Sequence, residues 1–301
     1  MPSLAARAFQ SLMRAAFSGR LPHDEAPLRK AVRQVRRRSA GDPPASLGRQ
    51  CAVEVRQAGE HRIFTVRPRH DGPVRGQVFY LPGGGYVNPP AFLHWWFVAR
   101  LVKTLGLACT VPLYPLAPEH TCDEGVAFAV DAYHRLVSEH GAQNLLVMGD
   151  SAGGGLALAM LQQAKTAPAG LLLNAPWLDA SVSDPCQLEI ERSEFLLNRF
   201  TLRTWGAWWA GSRGLADPMV SPLFGDLSAL PPTLLLCGSA DILVADARRL
   251  AAAAPGVVRY VEEEGLMHVY PLIPFLPEAR RAWLEIGRFV DGVLIRNEIK
   301  P

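Results

Sequence analysis

The chain lacks the marks of a metal ribbon, a disulfide scaffold or a membrane span. Its 301 residues hold only five cysteines, Cys51, Cys109, Cys122, Cys186 and Cys237. They are odd in number, scattered, and never spaced C-x-x-C, which argues against a zinc ribbon or a disulfide framework. Cys109 in "LACTVP" and Cys237 in "LLLCGS" lie inside apolar runs and read as small core residues. A reducing cytoplasm fits this usage. No uninterrupted apolar stretch reaches the length of about 18 residues that a spanning helix needs. The start, "MPSLAARAFQSLMRAAFSGR", is broken by Arg7 and Arg14, so it lacks the run of a secretory signal. Internal repeats are missing too.

Net charge is small, +3, but unevenly spread. Residues 1–50 carry ten Lys/Arg against three Asp/Glu, and the rest of the chain carries a slight acidic excess. The densest part is "LRKAVRQVRRR", from Leu28 to Arg38. No aromatic residues interleave with these arginines as a nucleic-acid platform would want, so no nucleic-acid partner is expected. Leu28, Val32 and Val35 recur at helical spacing, which reads as an amphipathic helix with a solvated basic face.

What is present is a rhythm. "CAVEVR" and "HRIFTVRP" alternate as a strand pair around "QAGE". Short apolar runs then follow at 76–81, 107–112, 144–149, 169–176, 232–238 and 257–262. Helix-like stretches near 91–105, 123–140, 152–165, 243–254 and 277–295 separate or follow them. Continuous apolar strands alternating with helices predict a mostly parallel sheet with helices on both faces. Residues 179–220 delay one strand by more than fifty residues, as a lid or part of a cap would.

Chemistry enters at "LLVMGDSAGGGLALAMLQ". An apolar strand meets Gly149-Asp150-Ser151-Ala152-Gly153 and a helix begins at once, the strand–turn–helix context of the G-x-S-x-G nucleophile elbow. A serine needs a base. On such a sheet the acid and the histidine follow the serine, each just beyond a late strand. "PTLLLCGSAD" delivers Asp241 and "VVRYVEEEGLMH" delivers His268. His23, His61, His70, His94, His120, His134 and His140 all precede Ser151, and surface or structural roles are expected of them. Asp246 falls inside the next helix and reads as a cap or surface residue; Asp217 and Asp226 suit loop caps.

Three consecutive glycines, Gly83, Gly84 and Gly85 in "YLPGGGYV", admit a phosphate cradle, an oxyanion-binding loop or a plain turn. No Lys follows before Lys103, which removes the P-loop, and no G-x-G-x-x-G opens a helix there. Backbone N–H groups at an early strand-to-helix loop, with the N–H after the nucleophile, suit a developing oxyanion. Gly84, Gly85 and Ala152 are the expected donors, with Gly83 in support.

These blocks resemble the hormone-sensitive-lipase-like carboxylesterases, the bacterial family IV of the α/β-hydrolases. "PGGGY" stands where that family writes H-G-G-G, "YPLAPEH" (114–120) matches its Y-R-L-A-P-E, and "GDSAGG" is its elbow. "NAPWLD", "DPMVSPLFGDLSALPPTLLLCGSADIL" and "LMHVY" match later blocks, so the similarity spans roughly residues 50–295. The resemblance implies an α/β-hydrolase fold with an eight-stranded, mostly parallel sheet and a helical cap. It implies a triad of Ser151, Asp241 and His268, a small-molecule ester substrate, and no cofactor or metal. Residues 1–48 and part of 179–220 are expected to form the cap, and 49–301 the catalytic domain. Pro82 and Pro115 depart from the family's histidine and arginine. Glu119 is expected to serve loop backbone and Asp150 the elbow, and Trp95 and Trp96 packing. Trp205, Trp208 and Trp209 suit either an acyl pocket or the cap core. Amide or formamide hydrolysis, sterol-ester or glyceride substrates, and a non-catalytic small-ligand receptor are further readings. So are a homodimer and peripheral membrane contact through the amphipathic N-terminus, with Phe9, Leu12, Met13, Ala16 and Phe17.

Overall fold

The computed structural model describes residues 1–17, 22–69 and 72–298. Residues 18–21 of the expected cap, and His70, lie outside the described residues.

Three helices come first: α1 (Leu4–Phe17), α2 (Glu25–Arg38) and α3 (Ala45–Gln50). Strands β1 (Ala52–Ala58) and β2 (His61–Arg67) form an antiparallel hairpin around Gly59-Glu60. Then β3 (Gln77–Leu81), α4 (Phe92–Leu105), β4 (Ala108–Pro112), α5 (Cys122–His140), β5 (Leu145–Asp150), α6 (Ala152–Ala164) and β6 (Gly170–Asn174) alternate. The long insertion carries α7 (Cys186–Glu191) and α8 (Arg199–Ala210) before β7 (Thr233–Gly238), α9 (Val244–Ala253), β8 (Val258–Glu263) and α10 (Pro277–Glu298). The sheet has eight strands in the order β1-β2-β4-β3-β5-β6-β7-β8, and every pair from β4 to β8 is parallel. That is the expected architecture. No described helix is long and apolar enough to cross a membrane.

Period-2 alternation divides each central strand between two cores. Phe79, Leu81, Leu145, Val147, Leu171, Leu173, Leu235 and Cys237 join α5, α6 and α9 on one face. Val78, Tyr80, Leu146, Met148, Leu172, Leu234 and Leu236 join α4 and α10 on the other. Strands buried on both faces therefore have to be apolar at every position, which is why they read as unbroken runs. Local signals fix the helix starts. Thr121 and Glu124 form a capping box on α5, with the Thr121 N–H donating to Glu124 Oε2 at 2.9 Å. Asn198 Oδ1 accepts the Thr201 N–H at 2.6 Å to open α8.

The N-terminal helices are not an independent layer. Ala6 of α1 and Leu47 of α3 are buried in the α4/α10 core, while Val32 of α2 is buried with the α8 side. The Ser3 N–H and hydroxyl bind Glu278 at the start of α10, at 2.6 and 3.0 Å. Arg36 of α2 holds the carbonyls of Val87 and Ala117 and pairs with Glu119. Glu119 thus serves loop backbone through Arg36.

Candidate active site

Strand β5 ends at Asp150, and Ser151 stands on the turn into α6 with φ 52 and ψ −126. A non-glycine residue held at positive φ carries strain, and the surroundings must over-determine it. They do. The Ser151 N–H donates to the Asn174 carbonyl at 3.0 Å, and its own carbonyl accepts the N–H groups of Gly154, Gly155 and Trp177. The flanking glycines are explained by contact: a Cβ on Gly149 would overlap the Gly153 carbonyl, and one on Gly153 would overlap that of Leu81. The tightness of strand against helix presents the hydroxyl.

Two late strand ends complete the constellation. His268 Nε2 lies 3.0 Å from Ser151 Oγ, and His268 Nδ1 lies 2.7 Å from Asp241 Oδ2. Asp241 is fully buried and its other oxygen accepts the Leu243 N–H at 2.9 Å. With Nδ1–H donating to Asp241, the imidazole keeps Nε2 as an acceptor for the serine proton. Burial pulls the His268 pKa down, but the charge and hydrogen bond of Asp241, with the charges of Glu194 and Asp150, hold it above the ordinary histidine value.

Beside this turn runs the glycine loop. Gly84 has φ 139 and Gly85 φ 65, and Tyr86 continues at φ 62. A Cβ on Gly84 would overlap the Asn88 carbonyl, and one on Gly85 the ring of Trp205. Neither glycine donates a backbone hydrogen bond among the described residues. Ala152, the first residue of α6, belongs to the turn whose N–H groups a helix leaves unsatisfied. Gly83 lies against Asp150 and Ser151.

The three tryptophans part company. Trp205 alone covers the loop, over Gly85, with its Nε1–H buried and unpartnered. Trp209 is fully buried and stacks on Tyr86, ring centroids 4.2 Å apart. Trp208 faces α2, donating to Glu25 at 3.1 Å beneath the Arg29 guanidinium. Trp95 is core, as expected, and its indole N–H donates to the Gly41 carbonyl at 3.0 Å.

One expectation is corrected. Asp246 is not a surface or cap residue: it is fully buried, and its Oδ2 accepts the N–H groups of Leu178 and Asp179 at 2.7 and 2.9 Å. It tethers the chain leaving β6 to α9, and burial pushes its pKa up to about 8.

Two residues at this site carried no separate signal in the sequence. His94 accepts the Ala91 N–H on Nδ1 at 2.8 Å and donates from Nε2 to Asp150 Oδ2 at 3.2 Å. Asp150, as expected of the elbow, also accepts from the Tyr80 hydroxyl at 2.5 Å and from Gly83. Burial alone would raise the Asp150 pKa, yet His94, Tyr80 and Gly83 hold it below the usual carboxylate value. The second residue is Glu194, from the insertion, whose carboxylate reaches the Asp241 loop.

A family model for the alpha/beta hydrolase fold matches residues 78–272, the span from β3 to beyond His268. The chain belongs to that family. This hydrolase fold is 34% identical over 236 residues to an acetyl-hydrolase of Streptomyces hygroscopicus, covering 75% of this chain and 78% of that one. An esterase of Acinetobacter venetianus is 29% identical over 255 residues, 76% of this chain and 82% of the esterase. A triacylglycerol lipase of Mycobacterium tuberculosis is 33% identical over 190 residues, but the match spans only 38% of that lipase's length and 62% of this chain. Among solved structures, a hormone-sensitive lipase from a metagenome library superposes with TM-score 0.84 at 25% identity, covering 98% of this chain and all of that one. The hydrolase is a member of the hormone-sensitive-lipase-like group, family IV, that its motifs resembled.

Proposed function

We propose that the chain is a serine carboxylesterase that hydrolyses short- to medium-chain acyl esters through an acyl-enzyme. The observation that carries this reading is the two-ended bridge of His268, 3.0 Å to Ser151 Oγ and 2.7 Å to Asp241 Oδ2. Ser151 Oγ attacks the ester carbonyl while His268 Nε2 takes its proton. The carbonyl oxygen becomes an oxyanion, received by the N–H groups of Gly84, Gly85 and Ala152, with Gly83 bracing the loop. Collapse breaks the bond to the alcohol oxygen, which leaves with the proton held on His268. Water, deprotonated by the same nitrogen, then attacks the acyl carbon and releases the acid and Ser151.

The preference for short and medium acyl groups draws support from the crowding around the serine. Ser151 and His268 are each 8% exposed, and Trp205 lies on Gly85. The cap reading has support in the contacts between the N-terminal segment and the insertion. Arg14 donates to the Ser193 carbonyl, Asn198 to the Pro22 carbonyl, and Trp208 to Glu25. A reducing cytoplasm is supported by five unpaired cysteines, four of them buried.

The test is hydrolysis of p-nitrophenyl esters across acyl lengths from two to twelve carbons. The wild type is expected to turn over the short and medium members best, and Ser151→Ala and His268→Ala to lose turnover while remaining folded. Retained turnover in either variant rejects the triad; a preference for the longest acyl group rejects the substrate class.

A further inference from the structure

At the edge of the sheet, on the β1–β2 hairpin, a second cluster of donors stands apart from the triad residues. Glu60, His61 and His120 each offer one ligand atom, and the three atoms lie within 4.8 Å of one another. Glu60 comes from the hairpin turn, His61 opens β2 and His120 lies in the loop before α5, so the cluster joins two elements distant in sequence. We propose that Glu60, His61 and His120 form a binding site for a first-row divalent cation of the zinc class, clamping the sheet-edge hairpin to the start of α5.

The donor set suits such an ion. Two imidazoles and one carboxylate are borderline nitrogen and oxygen ligands, and zinc is commonly held by three such protein groups with water completing the coordination. Ligand atoms around tetrahedral zinc, at metal–ligand distances of about 2.0–2.1 Å, stand roughly 3.4 Å apart. Donors within 4.8 Å of one another need only small side-chain rotations of the exposed Glu60 and the two part-exposed imidazoles to reach that spacing.

The surroundings prepare both rings. His120 Nδ1 lies 3.1 Å from Glu124 Oε1 and donates to that carboxylate, so Nε2 is the nitrogen left to face a metal. A carboxylate behind a histidine is the usual outer partner of a metal-bound imidazole, fixing its tautomer. Glu124 is itself held by the Thr121 N–H at 2.9 Å. His61 is half-buried between His120 and Phe128, with ring centroids 5.4 and 5.2 Å away, which holds its ring in place. Ring packing alone explains the contact of the two imidazoles, but not the carboxylate that converges on both.

The neighbouring charges do not oppose a cation. All three donors line a cavity of about 300 Å³ that also exposes Arg36 and Arg62. Both guanidinium groups are already ion-paired, Arg36 with Glu119 and Arg62 with Asp42. The cavity also touches Tyr114, whose hydroxyl donates to the Pro82 carbonyl at 2.7 Å. A clamp here would steady the loop that carries the first residue of the glycine turn.

Zinc chloride titrated calorimetrically into the full chain, in a buffer that does not chelate, tests this directly. One saturable site per chain is expected, together with a raised unfolding temperature. His61→Ala and His120→Ala should each weaken binding by about tenfold or more, the range typical of perturbing such shells. Glu60→Gln sits on an exposed turn where folding is not at stake, and should weaken binding in the same sense. Each variant is checked for native folding by labelling of Ser151 with a fluorophosphonate, which does not depend on the metal. Absence of saturable heat overturns the proposal. So does a site of unchanged affinity in the His61→Ala/His120→Ala double variant, or in Glu60→Gln.

Discussion

Glu194 Oε2 accepts the backbone N–H of Ile242 at 3.2 Å, and so brings a second carboxylate to the residue directly after Asp241. Its other oxygen accepts the N–H groups of Phe195 and Leu196 at 2.8 and 2.9 Å, which fixes the insertion to the acid loop. Burial, and then the charge of Asp241, raise the Glu194 pKa, and Glu194 in turn helps to raise that of His268. In the proposed mechanism His268 starts neutral, so a raised pKa sets the acid limb of kcat/KM above the ordinary histidine range near 6.5. Glu194→Gln keeps an acceptor for Ile242 and removes the charge. Its acid limb is expected to move to lower pH. A limb that stays in place would leave Glu194 as an anchor of the cap and nothing more.

His94 stands behind the elbow, and it bears on the absence of the family histidine at Pro82. Its bond to Asp150, together with that carboxylate's contact with Gly83, links α4 to both the serine turn and the glycine loop. His94→Ala is expected to cost about 1–3 kcal/mol of stability, the usual penalty for unpairing a buried charged acceptor. It should also lower kcat more than it raises KM, since loop geometry matters most in the transition state. Thermal melts and steady-state kinetics on the purified variant check both, and unchanged values in both contradict this role.

Gly84→Ala tests the oxyanion loop. A side chain at φ 139 collides with the Asn88 carbonyl, so the loop has to move and its N–H groups lose their aim. The expected loss in kcat is about 10²–10³-fold, comparable to removing one oxyanion donor. Near-wild-type kcat would show that the donors lie elsewhere.

Asp246 predicts a pH effect on stability that runs opposite to the common carboxylate case. Its folded pKa is raised to about 8, chiefly by burial, so the folded state binds a proton that the unfolded chain has already released. The neutral acid contributes its stability fully below the unfolded pKa near 4, and loses it as pH rises through about 8. Asp246→Asn keeps an acceptor for Leu178 and Asp179 and cannot ionise. Its unfolding temperature, relative to wild type, is expected to improve between pH 6 and pH 9. A gap that does not change with pH contradicts a buried neutral Asp246.

Much of this was legible in the chain. The parallel strands announced themselves because burial on both faces, as at Leu145 to Met148, forbids polar residues in either register. The grouping of Ser151, Asp241 and His268 could be anticipated because each follows a parallel strand at the same edge of the sheet, β5 at once, β7 after Gly238 and β8 after Glu263. The environment of Asp246 was not readable. From sequence it is one more acid in a helix, and only the return of residues 178–179 over α9 buries it. The tryptophans of α8 show the same limit. Helical spacing puts Trp205 and Trp209 on one side, yet Trp209 is taken by Tyr86 and only Trp205 reaches the glycine loop. Glu194 and His94 act through contacts across 48 and 56 residues of chain, which no local pattern encodes.

The central claim is that one hydroxyl, on Ser151, is the activated nucleophile. Mass spectrometry of the intact chain and its peptides after brief exposure to a fluorophosphonate reads this directly. One adduct per chain is predicted, on the peptide that contains Ser151, forming far more slowly in His268→Ala. No adduct, or an adduct on another residue accompanied by ester turnover in Ser151→Ala, would contradict the account.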